Sequence, residues 1–216
     1  MSIKKDNALI VLNGDFPKKF SPDFSNYSTH FAADGGAEFF YINKINPDLI
    51  IGDLDSVSAE TLKFFKKQNC IIKKFPAKKN FSDSELLFKY IRKHYPKIKF
   101  VDILGAFSKD RIDHFLVNLN VFTKYAKHFN FCIFDDNFTG YIFNDEISLE
   151  LEKNIDLSLV SLSNKTVFKK SSGLHYSVDN LKLTKKSSRG LSNKTKTSRI
   201  HIEIQEGFVL LLIPKS

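Results

Sequence analysis

Residues 48–56 read Asp48-Leu49-Ile50-Ile51-Gly52-Asp53-Leu54-Asp55-Ser56. A short apolar run ends abruptly in glycine and two acids, which is how a buried strand delivers polar groups at its carboxyl end. The same arrangement occurs upstream. Residues 8–12 end at Asn13-Gly14, and residues 30–33 end at Asp34-Gly35-Gly36. Three further strand candidates lie at 70–75, 100–104 and 131–134. Helical spacing separates them. One helix is expected over 37–44, and a second over 59–68, capped by Ser58, with Leu62 and Phe65 on one side. A third starts at Ser82 or Asp83 and runs to about His94; a fourth covers 112–127. Strand–helix alternation predicts a doubly wound, mostly parallel sheet, and such sheets bind ligands beyond the carboxyl ends of their strands. Asp34, Asp53 and Asp55 follow strand ends, while Asp83 and Asp113 open helices. Both kinds of position share one edge of the sheet.

Beyond residue 134 the helical period fades. Short apolar runs at 141–143, 147–151, 157–162, 167–168, 181–183, 200–204 and 208–213 are separated by turn residues. They predict a small antiparallel β domain. The expected division is an α/β domain over 1–136 and a β-sandwich over 137–216. Composition reads the Lys-, Ser- and Thr-rich segment 182–199 as a solvated loop.

Bulk properties narrow the function. The chain has 216 residues, 42% apolar and 26% charged, which are ordinary globular values. The formal charge of +9 is almost all Lys; the arginines are Arg92, Arg111, Arg189 and Arg199. An AT-rich coding sequence accounts for that excess. No recognition motif accompanies it, so neither nucleic acid nor membrane is the expected partner. Cys70 and Cys132 lie in apolar segments outside any C-x-x-C pair and read as buried free thiols. No run approaches the roughly 20 apolar residues of a membrane helix, and the run at 8–12 is short for a signal peptide. A soluble, cytoplasmic protein is expected.

The acids suggest phosphate chemistry. Two carboxylates as close as Asp53 and Asp55 can converge on one cation, without which they repel by about 4 kcal/mol at 4 Å and an effective dielectric of 20. An all-oxygen site suits Mg2+ bound with substrate phosphates. The alternative is a turn rich in Asp and Gly. Glycines at Gly35 and Gly36 would let a phosphate approach the backbone. On the fourth helix Arg111, His114 and Asn118 share a face, and Ile112, Leu116 and Leu119 make a separate stripe expected to face the core. Arg111 could hold a phosphate by two parallel hydrogen bonds. His114 reads either as a satisfied histidine or as a donor to substrate. The chain has no P-loop, no G-x-G-x-x-G, no H-E-x-x-H and no G-x-S-x-G.

These residues, in order, resemble the thiamine pyrophosphokinase family. Ala33-Asp34-Gly35-Gly36-Ala37 is similar to its D-G-G-A motif, and residues 47–56 to its P-D-x-x-x-G-D-x-D-S motif. Ser82-Asp83 with Glu85 resembles T-D-x-x-K/E. Gly105-Ala106 with Arg111, Asp113, His114 and Asn118 resembles G-A-x-G-G-R-x-D-H-x-x-x-N. Ser172-Gly173-Leu174-His175-Tyr176 resembles K-G-L-x-Y, and Ser192-Asn193 its S-N piece. The resemblance implies an ATP- and Mg2+-binding α/β domain, a β-sandwich, and a homodimer holding thiamine between domains of different subunits. It implies metal ligands Asp53, Asp55 and Asp83. It implies phosphate contacts from Gly35, Gly36, Ser56, Ser82, Arg111, His114 and Asn118, and thiamine contacts from Ser192 and Asn193. The catalytic set would be Asp34, Asp55, Arg111 and Asp113, with Asp34 or Asp113 taking the hydroxyl proton. The chain departs from the pattern in three ways. An acid is missing in Lys78-Lys79-Asn80-Phe81, Ser82 replaces Thr, and Ser108-Lys109-Asp110 replaces a glycine pair with one extra residue. Lys109 could supply charge there in place of backbone N–H groups. The expected reaction gives thiamine diphosphate and AMP. The alternatives are transfer to another alcohol such as a pterin, a non-catalytic binding relative, or a basic nucleic-acid binder.

Overall fold

The computed structural model describes residues 6–18, 21–78 and 80–215, and it divides into two compact units. The first comprises the chain up to Val121 together with Ile133–Asp136; the second comprises Phe122–Cys132 and Asn137–Ser216.

In the first unit the strands are β1 (Asn7–Val11), β2 (Thr29–Ala33), β3 (Leu49–Gly52), β4 (Ile71–Lys74) and β5 (Phe100–Leu104). The helices are α1 (Gly36–Ile42), α2 (Ala59–Lys67), α3 (Asp83–His94) and the part of α4 (Ile112–Tyr125) up to Val121. All strand pairs are parallel, in the order β5-β1-β2-β3-β4. The order reverses between β1 and β5, so the crevice beyond their carboxyl ends is the switch point at which such sheets take ligands. The central strands are continuous apolar runs because helices cover both faces. Ala8, Leu9, Ile10 and Val11 are completely buried, as are Leu49 and Ile50. Helix starts are fixed locally. Ser58 Oγ accepts from the Thr61 N–H at 3.0 Å, and Ser82 Oγ from the Glu85 N–H at 3.2 Å.

Helix α4 departs from expectation. Ile112 and Leu116 are 50% and 57% exposed, so the expected core-facing stripe is not formed there. Burial begins only at Val121 and Phe122, where the second half of the helix reaches apolar neighbours. Periodicity defined an apolar face but not what covers it. Strand β6 (Asn130–Phe134) is divided between the two units.

The second unit contains β7 (Phe138–Phe143), β8 (Glu146–Glu150), β9 (Asp156–Ser161), β10 (Thr166–Ser172), β11 (Lys182–Leu183), β12 (Asn193–Lys194), β13 (Arg199–Glu206) and β14 (Val209–Pro214). They form antiparallel layers ordered β12-β9-β14-β7 and β11-β10-β13-β8. Alternation along β13 sends Ile200, Ile202 and Ile204 inward, against Leu159, Phe168 and Leu211. This is the expected sandwich. Both cysteines are free and half-buried rather than buried. Burial, with the nearby Asp48 charge, pushes the Cys70 thiol up to about 12, which keeps it protonated and unreactive. Among the described residues no helix is long and apolar enough to cross a membrane.

Candidate active site

A cavity of 570 Å³ opens at the switch point of the first unit. That volume lies in the roughly 300–1,000 Å³ range of small-molecule sites. It is lined from β1 by Asn13 and Gly14, from β2 by Asp34, from β3 by Asp53, Asp55 and Ser56, from α3 by Ser82, Asp83 and Ser84, and from β5 and α4 by Gly105, Ala106, Ser108, Arg111, His114 and Asn118.

The acidic side is built by strand ends. Asp34 extends β2 by one bond, its N–H donating to Ile51 O at 2.9 Å, and then turns with φ at 48°. Asn13 Nδ2 donates to Asp34 Oδ2 at 3.1 Å, a contact that needs Gly35, since a Cβ there would lie 2.0 Å from Asn13 Oδ1. Asp34 is only 5% exposed, and its Oδ1 is buried with no hydrogen-bond partner. Burial raises its pKa, and the Asp83 and Asp53 charges push the same way, partly offset by the polar Ser56 hydroxyl and Gly35 N–H nearby. One oxygen each of Asp34, Asp53 and Asp55 lies within 4.8 Å of the others. Three charges that close repel by roughly 3 kcal/mol per pair at an effective dielectric of 20. A hard divalent cation would remove that repulsion, and a donor set made wholly of carboxylate oxygens fits Mg2+. Asp83, one of the expected ligands, lines the same cavity outside this trio. Ser56 Oγ donates to Asp55 Oδ1 at 3.0 Å.

The basic side is the start of α4. Arg111 binds Asp113 with both prongs, Nε to Oδ1 at 3.1 Å and Nη2 to Oδ2 at 2.8 Å. This hydrogen-bonded cation holds the Asp113 carboxyl down at about 2, which gives it little affinity for a proton. His114 Nε2 lies 3.9 Å from Asp113 Oδ2. Asn118 is a bracket: its Nδ2 donates to Ala106 O at 3.1 Å, and its Oδ1 accepts from Ser84 Oγ at 2.9 Å. Ser84 also meets Ser82 Oγ at 3.0 Å.

Sequence reasoning did not name Asn13, Ser84 or Ser108 as site residues. Asn13 carried a usable signal, since it follows a strand end as Asp34 and Asp53 do. Lys109 does not line the cavity, and its backbone N–H donates to Asp15 Oδ2 at 3.0 Å.

In the second unit Ser192 is exposed, with φ at 59°, while Asn193 is 5% exposed. The Asn193 carboxamide makes three hydrogen bonds to backbone groups. Oδ1 accepts from Tyr176 N at 3.1 Å and from Lys194 N at 2.8 Å, and Nδ2 donates to Tyr176 O at 2.7 Å. Asn193 thereby fixes the backbone of Tyr176, which is 70% exposed. Asn193→Ala is expected to destabilise the protein by about 2–3 kcal/mol through unmade hydrogen bonds. Urea unfolding monitored in this unit checks it, and an unchanged midpoint contradicts the bracket.

Residues 21–134, more than half of the chain, match the family model described as thiamin pyrophosphokinase, catalytic domain. The fold is similar to that of thiamine pyrophosphokinase from Bacillus subtilis, at 22% identity and a TM-score of 0.78, covering 98% of this chain and 100% of that one. Yeast thiamin pyrophosphokinase aligns at 18% identity and a TM-score of 0.72, over 99% of this chain and 87% of the other. The Candida albicans enzyme gives 17% identity and a TM-score of 0.72, over 98% and 90%. No curated protein sequence matches the chain.

Proposed function

The chain belongs to the thiamin pyrophosphokinase family, and from that premise we propose that it transfers the diphosphate of ATP to the hydroxyl of thiamine, giving thiamine diphosphate and AMP. The observation that carries the reading is the pairing, in one cavity, of a three-carboxylate cluster with an arginine fork. A polyphosphate needs both: a cation site to offset its negative charge and a planar donor for the group in flight.

Asp34, Asp53 and Asp55, with Asp83 beside them, are the residues that would hold Mg2+. Bound there, the cation would neutralise charge on the polyphosphate. Arg111 leaves Asp113 to meet the transferred group, and Asp113 is the carboxylate that keeps the fork oriented until then. The thiamine hydroxyl attacks the β-phosphorus, the bond from that phosphorus to the oxygen of the α-phosphate breaks so that AMP departs, and the hydroxyl proton passes to Asp34 or Asp113. The transition state of such transfers is loose in most analyses, so little is asked of a base, and positioning with electrostatics supplies most of the rate. Asp113, held near 2 by Arg111, is the weaker proton acceptor of the two acids considered. Ser56 and Ser82 offer hydroxyls to the phosphates. Gly35 and Gly36 keep the adjoining backbone open to them. His114 adds a donor at the rim, and Asn118 keeps Ala106 in place. Ser192 and the ring of Tyr176, set by Asn193, are proposed to meet thiamine in a cytoplasmic homodimer.

The test is AMP formation from Mg·ATP with and without thiamine. Thiamine-dependent AMP supports the reading. AMP that forms equally well with a pterin alcohol redirects it to another acceptor, and absence of AMP contradicts it.

A further inference from the structure

The loop between β5 and α4 carries Ser108 and Arg111 into the cavity, yet it lacks the glycine pair of the family motif. Something else must hold its course. The extension of β1 runs beside it. Leu12 N donates to Leu104 O at 2.9 Å, and Asp15 N donates to Phe107 O at 2.8 Å. The two backbones lie so close at Gly14 that a Cβ there would sit 2.4 Å from both Gly105 O and Phe107 O. The Asp15 carboxylate then takes two of the three residues that depart from the family pattern. Oδ2 accepts from Lys109 N at 3.0 Å, and Oδ1 from Ser108 Oγ at 3.4 Å. The loop passes directly into the helix, with Arg111 N donating to Ser108 O at 3.2 Å.

We propose that Asp15 is a positioning residue for nucleotide binding, holding the Phe107–Lys109 loop so that Ser108 and Arg111 face the phosphates. The inference rests on the cavity being an Mg·ATP site. The Lys109 N–H bond at 3.0 Å is charge-assisted, a class roughly twice as strong as neutral bonds, and the 3.4 Å Ser108 contact is a weaker second tie from the same loop. Displacing a positioned group by about 1 Å is enough to weaken catalysis severely. Asp15 touches neither the acidic trio nor Arg111 in any hydrogen bond described above, so its effect passes through the loop.

The experiment measures binding of a non-hydrolysable ATP analogue with Mg2+, and of thiamine, by calorimetry. The proteins compared are wild type, Asp15→Ala and Asp15→Asn. Asp15→Ala is expected to weaken the analogue about fivefold to tenfold, the scale of one or two lost hydrogen bonds, with thiamine affinity unchanged. Asp15→Asn keeps a carbonyl oxygen for Lys109 N–H and is expected to recover most of the loss. Equal analogue affinity in Asp15→Ala overturns the proposal. So does a parallel loss of both ligands, or a failure of Asn to rescue. Wild-type protein that binds no analogue overturns the nucleotide-site reading and this inference together, whereas wild-type binding with an indifferent Asp15→Ala overturns the inference alone. Amide exchange provides a readout that needs no variant. Lys109 N–H is expected to exchange slowly in the ligand-free wild type, and fast exchange there contradicts the brace.

Discussion

Asp55→Asn is expected to cut thiamine-dependent turnover by several hundredfold or more, the scale of removing a preorganised charge from a transition state, with the fold intact. Asp55 is exposed and sits in a cluster whose oxygens lie within 4.8 Å. Its carboxylate is not needed for folding, since its neighbours repel it. The amide keeps the shape and removes one charge from the cation site. Unfolding temperature separates the two effects. Without Mg2+ the variant should melt at or above the wild-type temperature, because one repulsive charge is gone. With Mg2+ the wild type should gain more than the variant, because ligand binding stabilises in proportion to affinity. Near-normal turnover in Asp55→Asn, or equal Mg2+ stabilisation of both proteins, rules out the cation role.

Arg111→Met is expected to lower turnover by about a hundredfold to a thousandfold, and Arg111→Lys is expected to recover little of it. Lysine is a point charge and cannot reproduce the two parallel bonds of the guanidinium fork. The same variant has a second readout. Asp113 owes its low pKa first to the Arg111 hydrogen bonds. With methionine in place, its carboxyl should titrate near the ordinary value of about 3.9, and NMR of the side-chain carboxyl checks this. In the wild type the depressed pKa favours the fold above the unfolded value and loses that contribution as the pH falls through about 2. Both partners are more than half exposed, so solvent screens the pair and global stability should change little. A variant that keeps turnover within tenfold of wild type removes Arg111 from the transfer step.

The parts of this protein that were legible in its sequence are those set by local chemistry. Leu49–Gly52 could be read as a buried strand because every residue in it is covered, leaving an unbroken apolar run. Ser58 and Ser82 could be read as caps because each hydroxyl bonds a backbone N–H three residues ahead. The acids could be placed on one edge because parallel topology puts strand ends and helix starts there. Less could be read where a side chain's partner is distant in sequence. Asn13 meets Asp34, Ser84 meets Asn118 and Asp15 meets Lys109 across 21, 34 and 94 positions, and no local pattern announces such pairs. Asn193 shows the same limit. Its motif marks the position, while its carboxamide turns inward to Tyr176, 17 residues away. On α4 the apolar period was present, but Ile112 and Leu116 lie beyond the reach of the core.

The most direct measurement follows two isotopic labels, one on the β- and one on the γ-phosphorus of ATP, through a reaction with Mg2+ and thiamine. Both labels should arrive together on thiamine, in equal amounts, with unlabelled AMP as the only other product. Transfer of the γ label alone, or release of both labels to water at a rate indifferent to thiamine, would contradict diphosphate transfer.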